Sequence, residues 1–196
     1  MARAFTRQEM DIIRQRLKAA ARRYAVTQGM RKTTVDELAV DAGISKGAFY
    51  KFYPTKEMLF FEIMEDMHAE VYGASAAVLE KNACLPASQR AAQAVLTACG
   101  KMAQTGMMDF MERDVALLLC KIPMDVQEKH FHSDEEHIKL LLQNAGLSPE
   151  GGAELAASTV RGLFLTIAHR DSIGELYPQV LELLVKGACR QLFPED

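Results

Sequence analysis

Residues 33–59 read "TTVDELAVDAGISKGAFYKFYPTKEML", and this stretch decides the fold. Thr34 and Glu37 stand three apart, the spacing of a capping box, so a helix starts at Val35. Gly43 stops it, because the left-handed turn that follows excludes a β-carbon at little cost only for glycine. Ser45 caps a further helix predicted through about Phe52, and Pro54 ends that one. Thr55 opens a longer helix carrying Leu59, Ile63, Met67 and Val71 to about Gly73. Two short helices across a tight glycine turn have helix-turn-helix geometry. Leu38, Ala39, Ala42, Ile44, Phe49 and Phe52 are spaced to pack them on each other and on a preceding helix.

That packing leaves Ser45, Lys46, Gly47, Ala48, Tyr50 and Lys51 facing outward from the third helix, whose opening turns are the part that enters a major groove. The chemistry of each residue suits that place. Ser45 and nearby backbone N–H groups can receive phosphate oxygens. Lys46 reaches guanine O6/N7 or a phosphate, Gly47 permits close backbone approach, and the Ala48 methyl can meet a thymine methyl. Tyr50, Lys51, Tyr53 and, across the groove, Thr33 and Thr34 suit flanking phosphates. Lys56 opposes the dipole at its helix start, a small cost that a bound phosphate would offset.

Charge agrees. Residues 1–60 hold 12 Lys and Arg against 6 Asp and Glu, whereas the whole chain has a formal net charge of -3. A basic head on an acidic body points to a polyanion partner, against the plainer reading of a basic solvated surface.

Residues 29–59 resemble the DNA-binding segment of the TetR family of bacterial repressors. The likeness lies in Gly29 ending helix one, the Thr-Thr-Val start, the Leu-Ala…Ala-Gly turn, Ser-Lys-Gly opening the third helix, and the Tyr…Tyr-Pro-Thr-Lys-Glu exit. Ala48 and Tyr53 depart mildly from it, the first at a position where a hydroxyl residue is common. With helix one the resemblance covers roughly residues 6–60. It implies a double-stranded DNA operator with inverted repeats as partner, a small-molecule effector, and a homodimer built on two helices of each body.

Outward from this stretch every periodicity is helical, about nine helices and no strand, so the chain is expected to be all-α. Thr6 and Glu9 form another capping box, followed by Ile13, Leu17, Ala20, Ala21, Tyr24 and Ala25 on one face up to Gly29. Helices are expected over "ASQRAAQAVLTACGKMAQ", over "MDFMERDVALLLCKI" to Pro123, and over roughly 125–145. Two more run from Ser148-Pro149-Glu150 to about His169 and from Tyr177-Pro178 to Leu192. The expected division is a DNA-binding head, 1–54, and a ligand-binding and dimerisation body, 55–196, sharing the helix in which the charge changes sign.

In the body, eight of the 11 methionines fall between Met58 and Met124. Methionine suits adaptable apolar pockets and equally suits ordinary core filling. The pocket expectation gathers Met64, Met67, Met102, Met107, Met111, Phe110, Leu117, Cys120, Phe131 and Phe164, with His68, Arg161 and His169 as polar orienters. The two C-terminal helices carry broad apolar faces with small residues, and Ala157, Val160, Phe164, Val180, Leu181, Leu184 and Ala188 are the expected dimer surface. Packing within one subunit is the other reading of those faces.

Several classes are set aside. No run reaches the length of a membrane span, no export signal is visible, and the scattered Cys84, Cys99, Cys120 and Cys189 read as reduced thiols, which together point to a cytosolic chain with no membrane partner. No nucleophile-and-base or phosphate-loop motif is present, so neither enzyme activity nor a cofactor is expected. An α-helical enzyme or ligand carrier with a vestigial head is a rival reading. A metal- or redox-responsive regulator using His130, His132 and His137 or the cysteines is another; on one helix His130 and His137 share a face and His132 does not.

Overall fold

Side-chain caps place the helices of the N-terminal half. In the computed structural model, which describes residues 5–194 and only the backbone of residues 134 and 168, Thr6 and Glu9 close a reciprocal capping box at the start of α1 (Arg7–Val26). Thr34 and Glu37 do the same for α2 (Val35–Ala42). The Ser45 hydroxyl accepts from the Ala48 N–H at 3.2 Å to start α3 (Lys46–Phe49), which continues as hydrogen-bonded turns to Tyr53. Thr55 accepts from the Met58 N–H at 3.2 Å at the head of α4 (Lys56–Lys81). Gly43 holds φ +73 between α2 and α3, and a β-carbon there would meet only the Arg16 guanidinium at an ordinary 3.6 Å, so its backbone angle, not crowding, requires glycine.

The remaining helices are α5 (Ala87–Thr105), α6 (Met107–Phe110), α7 (Ala116–Leu119), α8 (Met124–Asn144), α9 (Gly152–Leu165), α10 (Arg170–Ile173) and α11 (Tyr177–Leu192). A π-helical turn, Met111–Val115, joins α6 to α7, so the single helix read there is one helical run with a wider turn inside it. Among the described residues every regular element is helical, as expected. Among these residues no helix is long and apolar enough to cross a membrane.

One start differs from the expectation. Ser148-Pro149-Glu150 does not open a helix; α9 begins at Gly152. Gly151 and Gly152 both hold positive φ (76° and 87°), and the Glu150 N–H donates to the Leu192 carbonyl at 2.7 Å. Two left-handed residues in a row interrupt the helical path that the proline would have begun.

The chain forms two compact units. The division falls inside α4, and Arg113–Ile122 groups with the N-terminal unit, whereas the sequence placed the boundary at residues 54 and 55. In the head, Leu17, Ala21, Leu38, Ala39 and Phe49 form the centre, all nearly or wholly excluded from water. In the body α5 packs on α11, whose Leu181, Val185, Cys189 and Leu192 form one buried stripe, and α9 packs on both α8 and α11.

Candidate nucleic-acid interface

The α2–α3 unit sorts its residues by environment. Phe49 is buried beneath α3 while Ser45, Lys46, Gly47, Tyr50 and Lys51 are exposed on it and Ala48 is half-buried. Lys46 donates to the Asp36 carboxylate of α2 at 2.7 Å, and that hydrogen bond holds its ammonium above the ordinary lysine pKa. Any phosphate or base edge must therefore compete with Asp36 for Lys46. The Lys51 ammonium lies 5.7 Å from the centre of the Phe5 ring. Thr34 is exposed, with its hydroxyl donating to Glu37 within the capping box at 2.8 Å. The helix start and the outward surface are thus built from the same few residues.

Three residues expected at phosphates have partners inside the protein. Thr33 is wholly buried, and its hydroxyl donates to the Gly29 carbonyl at 2.8 Å, closing the turn between α1 and α2. Tyr53 is buried too, its hydroxyl donating to Glu62 on α4 at 2.8 Å; burial raises its pKa further above the ordinary value. The Lys56 ammonium donates to the carbonyls of Met30 (2.8 Å) and Thr33 (2.5 Å). Burial lowers its pKa. The carbonyls of the α1–α2 connection, rather than a phosphate, answer its unfavourable place at a helix start.

The same turn is held from a distant part of the sequence. The Asp114 carboxylate, 1% exposed, accepts from the Met30 N–H at 3.0 Å and from the Arg31 N–H at 3.4 Å. Arg113 donates to the carbonyls of Ala25 and Thr27, which close the end of α1. Gly29, at φ +84, lies under this pair: a β-carbon there would come within 2.7 Å of both Arg113 Nε and Asp114 Oδ2. Lys18 adds salt bridges from α1 to Glu62 (3.1 Å) and Asp66 (2.7 Å) on α4. Together these contacts fix the path into α2, and so the placement of α3. Sequence reading missed Arg113 and Asp114, which carry no local signal. It also passed over Arg31 and Lys32, exposed basic residues just before α2 that the run "RKTT" displays openly.

Among the described residues the body holds a partly open apolar cavity of about 80 Å³ between α4, α5, α8, α9 and α11. Ser75, Tyr72 and Cys189 bring its few polar atoms; the Ser75 hydroxyl donates to the Ala94 carbonyl at 3.3 Å, and burial pushes the Cys189 thiol up to about 11. Of the expected pocket residues only Phe164 lines it. Met64, Met67, Met102, Met107 and Phe110 are fully buried core, and Met111, Leu117 and Arg161 are half-exposed elsewhere. Cys120, Phe131 and His169 are exposed, and His68 stacks on His130 outside the cavity lining. Helical periodicity shows which residues leave water but not which of them border a void, and methionine's adaptability serves a close-packed core as well.

Of the expected dimer surface, Ala157 and Leu181 are buried inside the subunit; Val160, Phe164, Val180 and Ala188 are half-buried and Leu184 is exposed. Leu155 and Leu165 on α9 and Leu183 on α11 are exposed in addition, Leu183 at 73%. The three histidines of "KHFHSDEEH" part company: His130 is buried, while His132 and His137 are exposed. His137 stacks on Tyr72 with centroids 4.9 Å apart. They do not form a common metal site.

Comparison with known proteins agrees with this geometry. Residues 17–63 match the family model for bacterial regulatory proteins, tetR family. YdgC, an HTH-type transcriptional regulator of Bacillus subtilis, is 33% identical over 66 residues, 34% of this chain and about a third of that protein's length. A TetR transcriptional regulator from Rhodococcus sp. RHA1 shares the fold at TM-score 0.65 and 18% identity, over 95% of this chain and 98% of that one. FadR of Thermus thermophilus, a repressor solved with lauroyl-CoA, does so at TM-score 0.67 and 16% identity, over 93% and 96%. RolR, solved with resorcinol, does so at 0.65 and 18%, over 97% and 99%.

Proposed function

We propose that this chain, whose head is that of the TetR family, is a homodimeric, ligand-responsive repressor in the cytoplasm that releases its operator when a small apolar effector enters the body. The observation that carries the reading is the outward surface of α3: Lys46, Gly47, Tyr50 and Lys51 all exposed above a buried Phe49, on a helix whose approach is fixed by caps. Exposed lysines and a tyrosine around a glycine supply phosphate contacts and allow close approach to a groove floor, and neither is needed by a plain solvated helix.

The partner copy follows from the operator. Two heads on an inverted repeat require a two-fold axis, and Leu155, Leu165, Leu183 and Leu184, exposed on α9 and α11, are the apolar side chains a partner copy would cover. The effector follows from the cavity. At about 80 Å³ it is smaller than the roughly 150 Å³ void that admits benzene in another protein. Its lining favours an apolar group, and one as long as the lauroyl chain bound by the Thermus relative would need the body to open. An effector that binds better to a body with its heads out of operator spacing couples the two sites through its differential affinity.

The test is binding of genomic fragments from around the chain's own gene, measured with the wild-type protein and with Lys46→Ala, Tyr50→Ala and Lys51→Ala. Losses of about tenfold or more, at unchanged thermal stability, support the reading. Binding that none of the three affects would contradict it.

A further inference from the structure

The acids of α2 divide by the partner each one takes. Glu37 closes the helix cap with Thr34, and Asp41 receives Arg23 of α1 at 2.5 Å, so both serve the head's own folding. Asp36 is engaged differently: its carboxylate accepts from the ammonium of Lys46, in the first turn of α3, at 2.7 Å. Both backbone positions are set by side-chain caps, Thr34 two residues before Asp36 and Ser45 one before Lys46. The pair meets on the surface that α3 turns outward, with side chains 62% and 55% exposed. An ion pair in that much water adds little to stability. Its consequence lies in what it does to the lysine.

We infer that Asp36 is a specificity-determining residue that acts through Lys46, orienting its ammonium toward a guanine edge and away from the phosphates. The inference rests on the DNA-binding reading of α3. A lysine carries a compact charge on a flexible four-carbon stem, so an unrestrained one takes whichever phosphate is near. One of its three N–H donors goes to Asp36, which fixes the stem and leaves two donors for a base edge. Guanine O6 and N7 are neighbouring acceptors in the major groove, which two donors can meet together. The carboxylate also repels phosphate oxygens, and so penalises binding that brings no base contact in return.

Lys51 is the comparison within the same helix end. It lies 5.7 Å from the centre of the Phe5 ring, a contact that leaves its full charge for a phosphate. Arg31 and Lys32, exposed just before α2, add further charge of that sequence-independent kind. Attraction to the backbone therefore has other sources, and Lys46 can be spared for reading.

The test uses the full chain with Asp36→Asn, Lys46→Ala, the two combined, and Lys51→Ala. Each is titrated on the operator selected by the wild type, on every single-base change of one half-site, and on unrelated duplex, at two salt concentrations. Asp36→Asn, at unchanged melting temperature, should bind unrelated duplex at least about threefold more tightly, with a salt slope steeper by about one phosphate. It should lose discrimination at one guanine position by at least about fivefold and keep it elsewhere. In the Lys46→Ala background Asp36→Asn should cost no further discrimination, and Lys51→Ala should weaken all sequences alike. A wild type that selects an operator, with every base preference kept in Asp36→Asn, would overturn the inference and leave the DNA-binding reading standing. So would a loss of discrimination that persists in the Lys46→Ala background. A wild type that selects no sequence would sink the reading itself, and the inference with it.

Discussion

In the head, α1, α2, α3 and α4 each start on a hydroxyl: Thr6, Thr34, Ser45 and Thr55. In the body, α5 and α8 follow Pro86 and Pro123, α9 follows Gly151 and α11 follows Leu176, none with a side-chain cap bond. The head is thus specified residue by residue, and the body by which faces leave water. On the proposed reading, a surface that matches DNA spacing would gain from the first kind of specification. A chamber that admits a guest would tolerate the second.

The sharpest challenge to this contrast comes from Arg113 and Asp114, which hold the head from far along the chain. Asp114→Ala would strand the buried Met30 N–H and remove the longer bond from the Arg31 N–H, and the expected loss is about 3 kcal/mol in urea unfolding of the full chain. A loss below about 1 kcal/mol would mean that the local caps suffice and the distant clamp is incidental.

For the body, Leu183→Asp should weaken self-association about a hundredfold, roughly 2.7 kcal/mol, by burying a charge at the proposed dimer face. Unchanged monomer stability is expected, since Leu183 is solvent-exposed in the subunit; sedimentation reads the first and thermal melting the second. An unchanged association constant would move the interface elsewhere.

A paired substitution compares the two kinds of helix start directly. Thr34→Ala should cost about 1 kcal/mol through the lost cap, whereas Pro86→Ala, which removes no cap bond, should stay within about 0.5 kcal/mol. Equal costs would erase the distinction.

The smallest effect is one of pH. The Thr34 N–H and hydroxyl, with Gln28, hold the Glu37 carboxyl below its ordinary value of 4.5. Its contribution is therefore present above pH 4.5 and is lost as pH falls through the lower folded value. Acid unfolding of Glu37→Gln should lack that component, and a profile identical to wild type would remove Glu37 from the cap's energetics.

The same contrast explains what the sequence made legible. Capping boxes, Gly43 and Pro54 are local signals, so the head's helices and the exposed α3 surface could be read directly. Thr33, Tyr53 and Lys56 looked like phosphate contacts because hydroxyls and ammonium groups beside a basic helix have that chemistry. Their actual partners, the carbonyls of Gly29, Met30 and Thr33 and the carboxylate of Glu62, are set by how helices pack. Asp114 sat unmarked within a helical run. In the body, apolar periodicity found the helices but could not divide core from cavity lining, and the pairing of His68 with His130, 62 residues apart in sequence, leaves no trace in spacing.

The most direct measurement of the central claim is selection and sequencing of DNA bound by the purified chain, from a library spanning its own upstream region, at two salt concentrations. The expected result is a recovered inverted repeat, bound with a steep salt slope of several phosphate contacts. Failure to bind at either salt, or salt-sensitive binding with no recovered sequence, would contradict a dimeric, sequence-specific regulator.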